Sequence, residues 1–374
     1  MAETTAYIGL GSNLGERKGN IDKALKMLAE TGKIVIGPLS DVIETPPLAS
    51  TEQPDYLNAV AEVRTSLTAQ ELRRMFSEIE AALGRVRHGK WWPRPIDLDL
   101  LLFGDEVINT PPELTVPHSQ MHLRSFVLAG LCQLNPNLVH PLMNETVSEL
   151  AGRLGGQDFA LNSDVPQLVG IAGNIGVGKT TLARKLAARL GCGLVLEPYD
   201  TNPFMPDVYA GKKELALDSQ LYFLTRRAEQ LSPDALAEGQ VCISDYVFHK
   251  EMIYARRLLD AEQLALYERI YSPFATKVAA PVLVVYMRDP AANCLERIHN
   301  RNRPYEQQIE VTFLQGLDED YERLFEHWRA CPVIRVSTSQ ASDVDHLALQ
   351  IDYYTAGQFA AAGGAGRAAI SSSK

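Results

Sequence analysis

"GNIGVGKTT", residues 173–181, decides how the second half of this chain is read, and with it the number of folded units. The run fits G-x-x-x-x-G-K-[ST], with Gly173, Gly178, Lys179 and Thr180 in place. Glycines let several backbone N–H groups converge on phosphate oxygens. Gly173, Asn174, Ile175, Gly176, Val177 and Gly178, with Thr181 just beyond, are therefore expected to cradle a nucleotide tail. Lys179 would reach the β- and γ-phosphates, and the Thr180 hydroxyl would hold Mg²⁺. "QLVGIAG" upstream reads as a strand and "TTLARKLAARL" downstream as a helix, so the positive end of that helix faces the phosphates.

Working outward, "GLVLEP", "QVCISDY", "PVLVVYMRD" and "CPVIRVST" are apolar runs separated by longer helical segments. With "QLVGIAG" they predict an α/β P-loop fold built on a five-stranded parallel sheet, covered on both faces. Glu197 closes the second strand and Asp245 the third, where ligands of open α/β sheets gather. In "LERIHNRNRP", Arg297 and Arg301 are i, i+4 on a helix and Arg303 follows, a clamp for a transferring phosphoryl group.

A chain of 374 residues exceeds one ordinary core. The Gly/Asn/Asp/Pro-rich stretch "AGRLGGQDFALNSDVP" marks a boundary, giving domains 1–158 and 167–356 with a linker at 159–166. The tail 357–374 is low in complexity and is expected to be disordered. Hydrophobic content of 46% with 22% charged residues describes globular protein, and the net charge of −10 argues against nucleic acid as a partner. No apolar run is long enough to span a bilayer and no signal-peptide core is evident, so the expectation is a cytoplasmic protein without membrane contact. Five scattered cysteines without a C-x-x-C pair agree with a reducing compartment.

In the first half, helices are predicted over 17–30 and within "TAQELRRMFSEIEAALG", where Thr68 and Glu71 form a capping box. "AYIGL", "IVIGPLSDVIE", "LNAVAEV" and "IDLDLLLF" read as strands, which makes this half an α+β sandwich on an antiparallel sheet. "GLGSNLGERKGN" does not fit G-x-G-x-x-G, and a dinucleotide loop is rejected. The informative run is "GRVRHGKWWPRPIDLDLLLFG", residues 84–104. Asp97 and Asp99 alternate with Leu98, so both carboxylates leave one strand face, where repulsion calls for a cation such as Mg²⁺. Arg85, Arg87 and Arg94 can clamp a polyphosphate, and Trp91 and Trp92 can stack on a heterocycle. The rigid Pro46–Pro47 turn can read the edge of a planar ring, and His118, Arg124 and Phe126 follow in "TVPHSQMHLRSFVL".

On these segments, residues 5–155 closely resemble the hydroxymethyl-dihydropterin pyrophosphokinases of folate synthesis. The resemblance implies a ferredoxin-like fold and pyrophosphate transfer from ATP to 6-hydroxymethyl-7,8-dihydropterin. It further implies that Asp97 and Asp99 hold two Mg²⁺ ions, that Arg85 and Arg94 act on the moving group, and that Arg87, His118 and Arg124 bind ATP. Thr45, Pro46, Pro47, Leu48, Tyr56, Asn58, Trp91 and Phe126 would surround the pterin. Ser119 stands where relatives carry an aromatic.

Residues 167–355 resemble the deoxyribonucleoside kinases, particularly a bacterial purine-preferring branch, through the phosphate loop, the Glu-Pro after strand two, "SDYVFHK" and the "RIHNRNRPYEQQIE" lid. That resemblance implies ATP-dependent phosphorylation of a deoxynucleoside 5′-hydroxyl, with Glu197 as base, Tyr209 and Glu306 on the 3′-hydroxyl, Gln220 on the nucleobase, and Arg227 and Asp245 completing the pocket. It also implies a homodimer formed through the kinase half. Tyr246 replaces an arginine found in many relatives, a charge that Lys250 or a lid arginine would supply. Two alternatives stay open: a kinase of nucleoside monophosphates in the second half, or a non-catalytic binding module in either half.

Overall fold

The computed structural model describes residues 3–48, 52–86 and 92–355, with only the backbone of Tyr209. Arg87, Trp91 and the tail 357–374 lie outside the described residues. The chain divides into two compact units, Met1–Ala160 and Leu161–Lys374.

The first unit opens with β1 (Thr4–Ser12), α1 (Arg17–Glu30), β2 (Ile34–Leu39) and β3 (Ile43–Thr45). It continues with β4 (Tyr56–Thr65), α2 (Ala69–Ala82), β5 (Asp97–Phe103), β6 (Ile108–Thr110) and β7 (Leu114–Val116). Helix α3 (Ser125–Leu134), β8 (Val139–His140), β9 (Glu145–Thr146) and α4 (Val147–Leu154) complete it. The main sheet is antiparallel, in the order β2-β4-β1-β5 with β3 also on β4. Alternation sorts its faces. Ala6, Ile8 and Leu10 of β1, with Leu98 and Leu100 of β5, share a core with Leu28 of α1 and Leu72 and Phe76 of α2. The intervening positions of β1 and β5 face the other way and form the site described below. Helix α2 starts at the Thr68 cap, where the Glu71 N–H donates to Thr68 Oγ1 at 3.2 Å and the Thr68 N–H to Glu71 Oε2 at 2.8 Å.

"IVIGPLSDVIE", expected as one strand, is two. Pro38 cannot donate to the ladder, the register shifts between Ile36 and Leu39, and Ser40 turns the chain by bonding both backbone groups of Val60.

In the second unit, β10 (Gln167–Ala172), α5 (Lys179–Leu190), β11 (Gly193–Val195), α6 (Met205–Tyr209), α7 (Ala216–Gln230) and β12 (Val241–Ser244) come first. Then follow α8 (Lys250–Leu258), α9 (Ala261–Ala275), β13 (Leu283–Arg288), α10 (Ala291–Arg301), α11 (Val311–Glu326), β14 (Val333–Ser337) and α12 (Val344–Tyr354). All strand pairs are parallel, in the order β11-β12-β10-β13-β14. Every residue of β10 is buried, as a strand covered on both faces requires. The chain runs from β10 to β11 on one side and then crosses from β12 to β13 on the other, which opens a crevice at the C-terminal end of β10. Among the described residues no helix is long and apolar enough to cross a membrane.

Candidate active sites

In the first unit, strand register assembles the site. Asp97 and Asp99 of β5 lie opposite Gly11 and Gly9 of β1. A Cβ on Gly11 would sit 3.0 Å from Asn58 Oδ1, so the glycines rejected above as a nucleotide loop instead keep the floor of this cavity clear. Asp97 accepts from Arg85 on one oxygen and from Arg94 Nη1 at 2.9 Å on the other. Arg85 is braced from behind by Glu80, whose buried carboxylate also accepts from the Leu98 N–H at 2.8 Å. Burial raises the Glu80 pKa against the pull of Arg85. Asp99 faces Arg124 Nη1 at 3.4 Å and His118 Nε2 at 3.8 Å. Burial pushes the Asp99 carboxyl up, but His118 and Arg124 outweigh it and hold it below its ordinary value. The buried Nε atoms of Arg94 and Arg124 have no acceptor among the described residues, a surplus of donors that suits an anionic ligand.

Beside the carboxylates, Thr45 ends β3 and Pro46, Pro47 and Leu48 follow it, Tyr56 and Asn58 come from β4, and Phe126 from the first turn of α3. All of them line the cavity that holds Asp97 and Asp99. Asn58 Nδ2 donates to Thr45 Oγ1 at 2.8 Å, which ties the two walls of the slot together. Trp92 is 56% exposed and does not line it. Among the described residues no three His, Cys, Asp or Glu side chains gather as a metal-binding group. Two carboxylates plus phosphate and water oxygens are what Mg²⁺ takes, so the Asp97/Asp99 pair fits that ion.

In the second unit, the loop after β10 bends through Gly173, Gly176 and Gly178, with φ of 137°, 78° and 103°. A Cβ on Gly173 or Gly176 would lie 2.5 Å from a backbone carbonyl oxygen, Met287 or Cys294 respectively. Asn174 is buried and donates to the Leu314 carbonyl at 2.8 Å and Asp318 at 2.7 Å, which anchors the loop to α11. The Val177 side chain is fully buried beneath the loop. Lys179 Nζ donates to the Asn174 carbonyl at 2.7 Å. Burial and the nearby Lys250 push Lys179 down to about 8, against Glu197 and Asp245. Asp245 ties two strand ends together, accepting from Thr180 Oγ1 at 2.6 Å and from the Glu197 N–H at 2.7 Å.

Glu197, Asp245, Lys179, Thr180, Gln220, Arg227, Arg301 and Arg303 line one cavity of about 520 Å³, room for a nucleoside beside phosphates. Gln220 is buried, and its Oε1 has no donor among the described residues. Glu306 is fully buried behind that wall, accepting from Tyr199 Oη at 2.9 Å and Arg301 Nε at 2.6 Å. Arg297 turns elsewhere, to Asp289 and the Gly176 carbonyl, and does not line the cavity. Of the lid arginines, therefore, Arg301 and Arg303 reach the site and Arg297 braces the phosphate loop. The Tyr209 side chain is outside the described residues.

Sequence reasoning passed over Tyr199, Phe223 and Glu251. Tyr199 and Phe223 line the cavity with ring centroids 6.3 Å apart. Their only sequence signal was an aromatic near Glu197 and another three residues after Gln220.

The model of the 7,8-dihydro-6-hydroxymethylpterin-pyrophosphokinase family matches residues 7–136, and that of the deoxynucleoside kinase family matches residues 169–350. A 2-amino-4-hydroxy-6-hydroxymethyldihydropteridine pyrophosphokinase of Haemophilus influenzae is 39% identical over 150 residues, 39% of this chain and 93% of that protein. A deoxyguanosine kinase of Bacillus subtilis is 33% identical over 189 residues, 50% of this chain and 91% of that protein. The solved structure of deoxyadenosine kinase from M. mycoides with bound dATP aligns to 50% of this chain and 99% of its own, at 22% identity and a TM-score of 0.44. The chain thus belongs to two families at once, the dihydropterin pyrophosphokinases through its first unit and the deoxynucleoside kinases through its second, and it is a bifunctional enzyme.

Proposed function

We propose that the first unit transfers the pyrophosphoryl group of ATP to the hydroxymethyl oxygen of 6-hydroxymethyl-7,8-dihydropterin, releasing AMP. The second unit transfers the γ-phosphoryl group of ATP to the 5′-hydroxyl of a purine deoxynucleoside, releasing ADP. One recurring observation carries both readings: each unit has a cavity edged by carboxylates interleaved with cationic side chains, Arg in the first and Arg and Lys in the second. Such an edge neutralises a polyphosphate and leaves an acceptor for the attacking hydroxyl.

In the first unit, Arg85 and Arg94 stabilise charge on the transferring group, and Arg124 and His118, with Arg87, hold the nucleotide tail. The slot from Thr45 to Leu48, with Tyr56, Asn58 and Phe126, takes the flat ring. In the second, the phosphate loop and Lys179 orient the triphosphate, and Arg301 and Arg303 cover the moving group. The O5′–Pγ bond forms as the bond from Pγ to the β-phosphate oxygen breaks, and the hydroxyl proton passes to Glu197. Asp97 and Asp99 in one site and Thr180 in the other would hold Mg²⁺, which would supply neutralisation of phosphate charge. Gln220 offers both donor and acceptor to a base edge. The Bacillus subtilis relative is named for a purine nucleoside, which supports the same acceptor class. For the first unit, the order β-α-β-β-α-β, with β2 and β3 counted as one strand, and the strand sequence 2-3-1-4 support a ferredoxin-like fold.

The test is product analysis with labelled ATP against dihydropterin, deoxynucleosides and deoxynucleoside monophosphates. AMP is expected with the pterin and ADP with the nucleosides. Turnover of monophosphates alone would refute the second assignment, and ADP from the pterin the first.

A further inference from the structure

The second site holds a cation that the reaction steps above leave unused. Lys250, the first residue of α8, is 4% exposed and lines the cavity. Its Nζ lies 2.7 Å from one oxygen of Glu197 and 2.8 Å from the other. An ammonium is buried only when its partner is well placed, and here a single carboxylate engages it through both oxygens.

Arg227 also reaches Glu197, but its second nitrogen is bonded to Glu251, which in turn accepts from the Tyr267 hydroxyl. The guanidinium is shared between two carboxylates, whereas Lys250 has Glu197 as its only ion-pair partner among the described residues. The other groups around this pair come from four elements. Asp245 follows β12 and is occupied with the Thr180 hydroxyl and the Glu197 N–H. Lys179 of α5 is bonded to the Asn174 carbonyl. Tyr246 beyond β12 and Tyr321 of α11 are phenols whose titration burial and Glu197 both push up, so they contribute no charge near neutrality. Tyr254 of α8 presents its ring face 5.0 Å from Nζ. Lys250, Arg227, Glu197 and Glu251 therefore balance to zero, and without Lys250 the group carries a buried negative charge that protonation of Glu197 would relieve.

We propose that Lys250 is a positioning residue of the kinase reaction, fixing Glu197 as an oriented carboxylate where the nucleoside hydroxyl arrives. The inference rests on the kinase reading above and deepens it. Holding the acceptor in place matters more than its basicity, because phosphoryl transfer through a loose transition state asks little of a base. The neighbouring residue, Glu251, holds Arg227 from the same turn of α8, so one helix end sets both cations against Glu197.

The test is the pH dependence of deoxynucleoside phosphorylation by the full chain, comparing wild type with Lys250→Met and Lys250→Arg between about pH 5 and 9. Lys250→Met is expected to lower kcat about 10²-fold with a small change in nucleoside KM. Against burial, Lys250 and Arg227 keep wild-type Glu197 ionised across this range, so its protonation leaves no acid limb there. In Lys250→Met an acid limb should move up into the window, because Glu197 then protonates more readily. Lys250→Arg should restore most of kcat and remove the limb again. If Lys250→Met does not accumulate as folded protein, Lys250→Gln carries the same expectations. Near-wild-type kcat, or a fall in kcat with no acid limb in the window, would leave Lys250 a structural residue and overturn the proposal. Wild type that phosphorylates no deoxynucleoside would remove the kinase reading and this proposal with it; active wild type with an unmoved variant refutes the proposal alone.

Discussion

Glu251→Gln probes the inner end of the buried ion chain. Glu251 is fully buried, with one oxygen on Arg227 and the other on the Tyr267 hydroxyl. Glutamine keeps the shape. Its carbonyl oxygen can still accept from Arg227, and its amide can donate to the Tyr267 oxygen. The hydrogen bonds survive and the charge does not, which leaves a net positive charge inside. Removing one partner of a buried pair costs about 3–5 kcal/mol, and the retained hydrogen bonds recover roughly 1 kcal/mol of that. A loss of about 2–4 kcal/mol lowers the midpoint of a unit this size by about 4–16 °C. Scanning calorimetry of the full chain, following the transition that added deoxynucleoside raises, reads this directly. A second signature has the opposite sign to Lys250→Met. Burial pushes the Glu197 carboxyl up, yet Lys250 and Arg227 already hold it far below the carboxylate range, and Glu251→Gln frees Arg227 to act on it alone. The Glu197 titration should therefore move down, not up, so that no acid limb enters the kinase profile above about pH 5. A midpoint shift under about 2 °C, or the appearance of such an acid limb, would refute the charge balance assigned to these four residues.

Asp97→Asn should reduce pyrophosphoryl transfer by at least about 10²-fold while nucleoside phosphorylation persists, measured as AMP and ADP formation in parallel; equal loss of both activities would count against separate sites. Gly176→Ala places a Cβ 2.5 Å from the Cys294 carbonyl oxygen at a φ of 78°. Strain and overpacking together should cost about 2–4 kcal/mol and raise the KM for ATP in the kinase assay, and an unchanged KM with unchanged stability would show the loop to be looser than described. Lys179, pushed down to about 8 by burial and Lys250, binds fewer protons in the folded unit than in the unfolded chain from there up to its ordinary 10.5. Its contribution to stability accordingly rises with pH through that window. Over the same window the neutral amine loses its hold on phosphate, so kcat/KM for ATP in the kinase reaction should fall above about pH 8; a profile flat to about pH 10 contradicts this.

Local chemistry made much of this protein legible in its residues. The spacing of Gly173, Gly178, Lys179 and Thr180 defines a phosphate loop because backbone turns and a helix start are short-range events. Thr68 and Glu71 announce α2, and alternation alone puts Asp97 and Asp99 on one face, since both rules act within a few residues. Contacts between distant segments carry no such signature. Lys250 meets Glu197 across 53 residues, Asn174 meets Asp318 across 144, and Gly9 and Gly11 acquire their purpose only when β1 registers against β5. The same holds for Arg297, which helical spacing grouped with Arg301 but which packing directs to Asp289. Spacing along a chain sets which residue types recur on one element. Which charge faces which is decided when strand register and helix packing bring separate elements together, and burial then enforces the pairing.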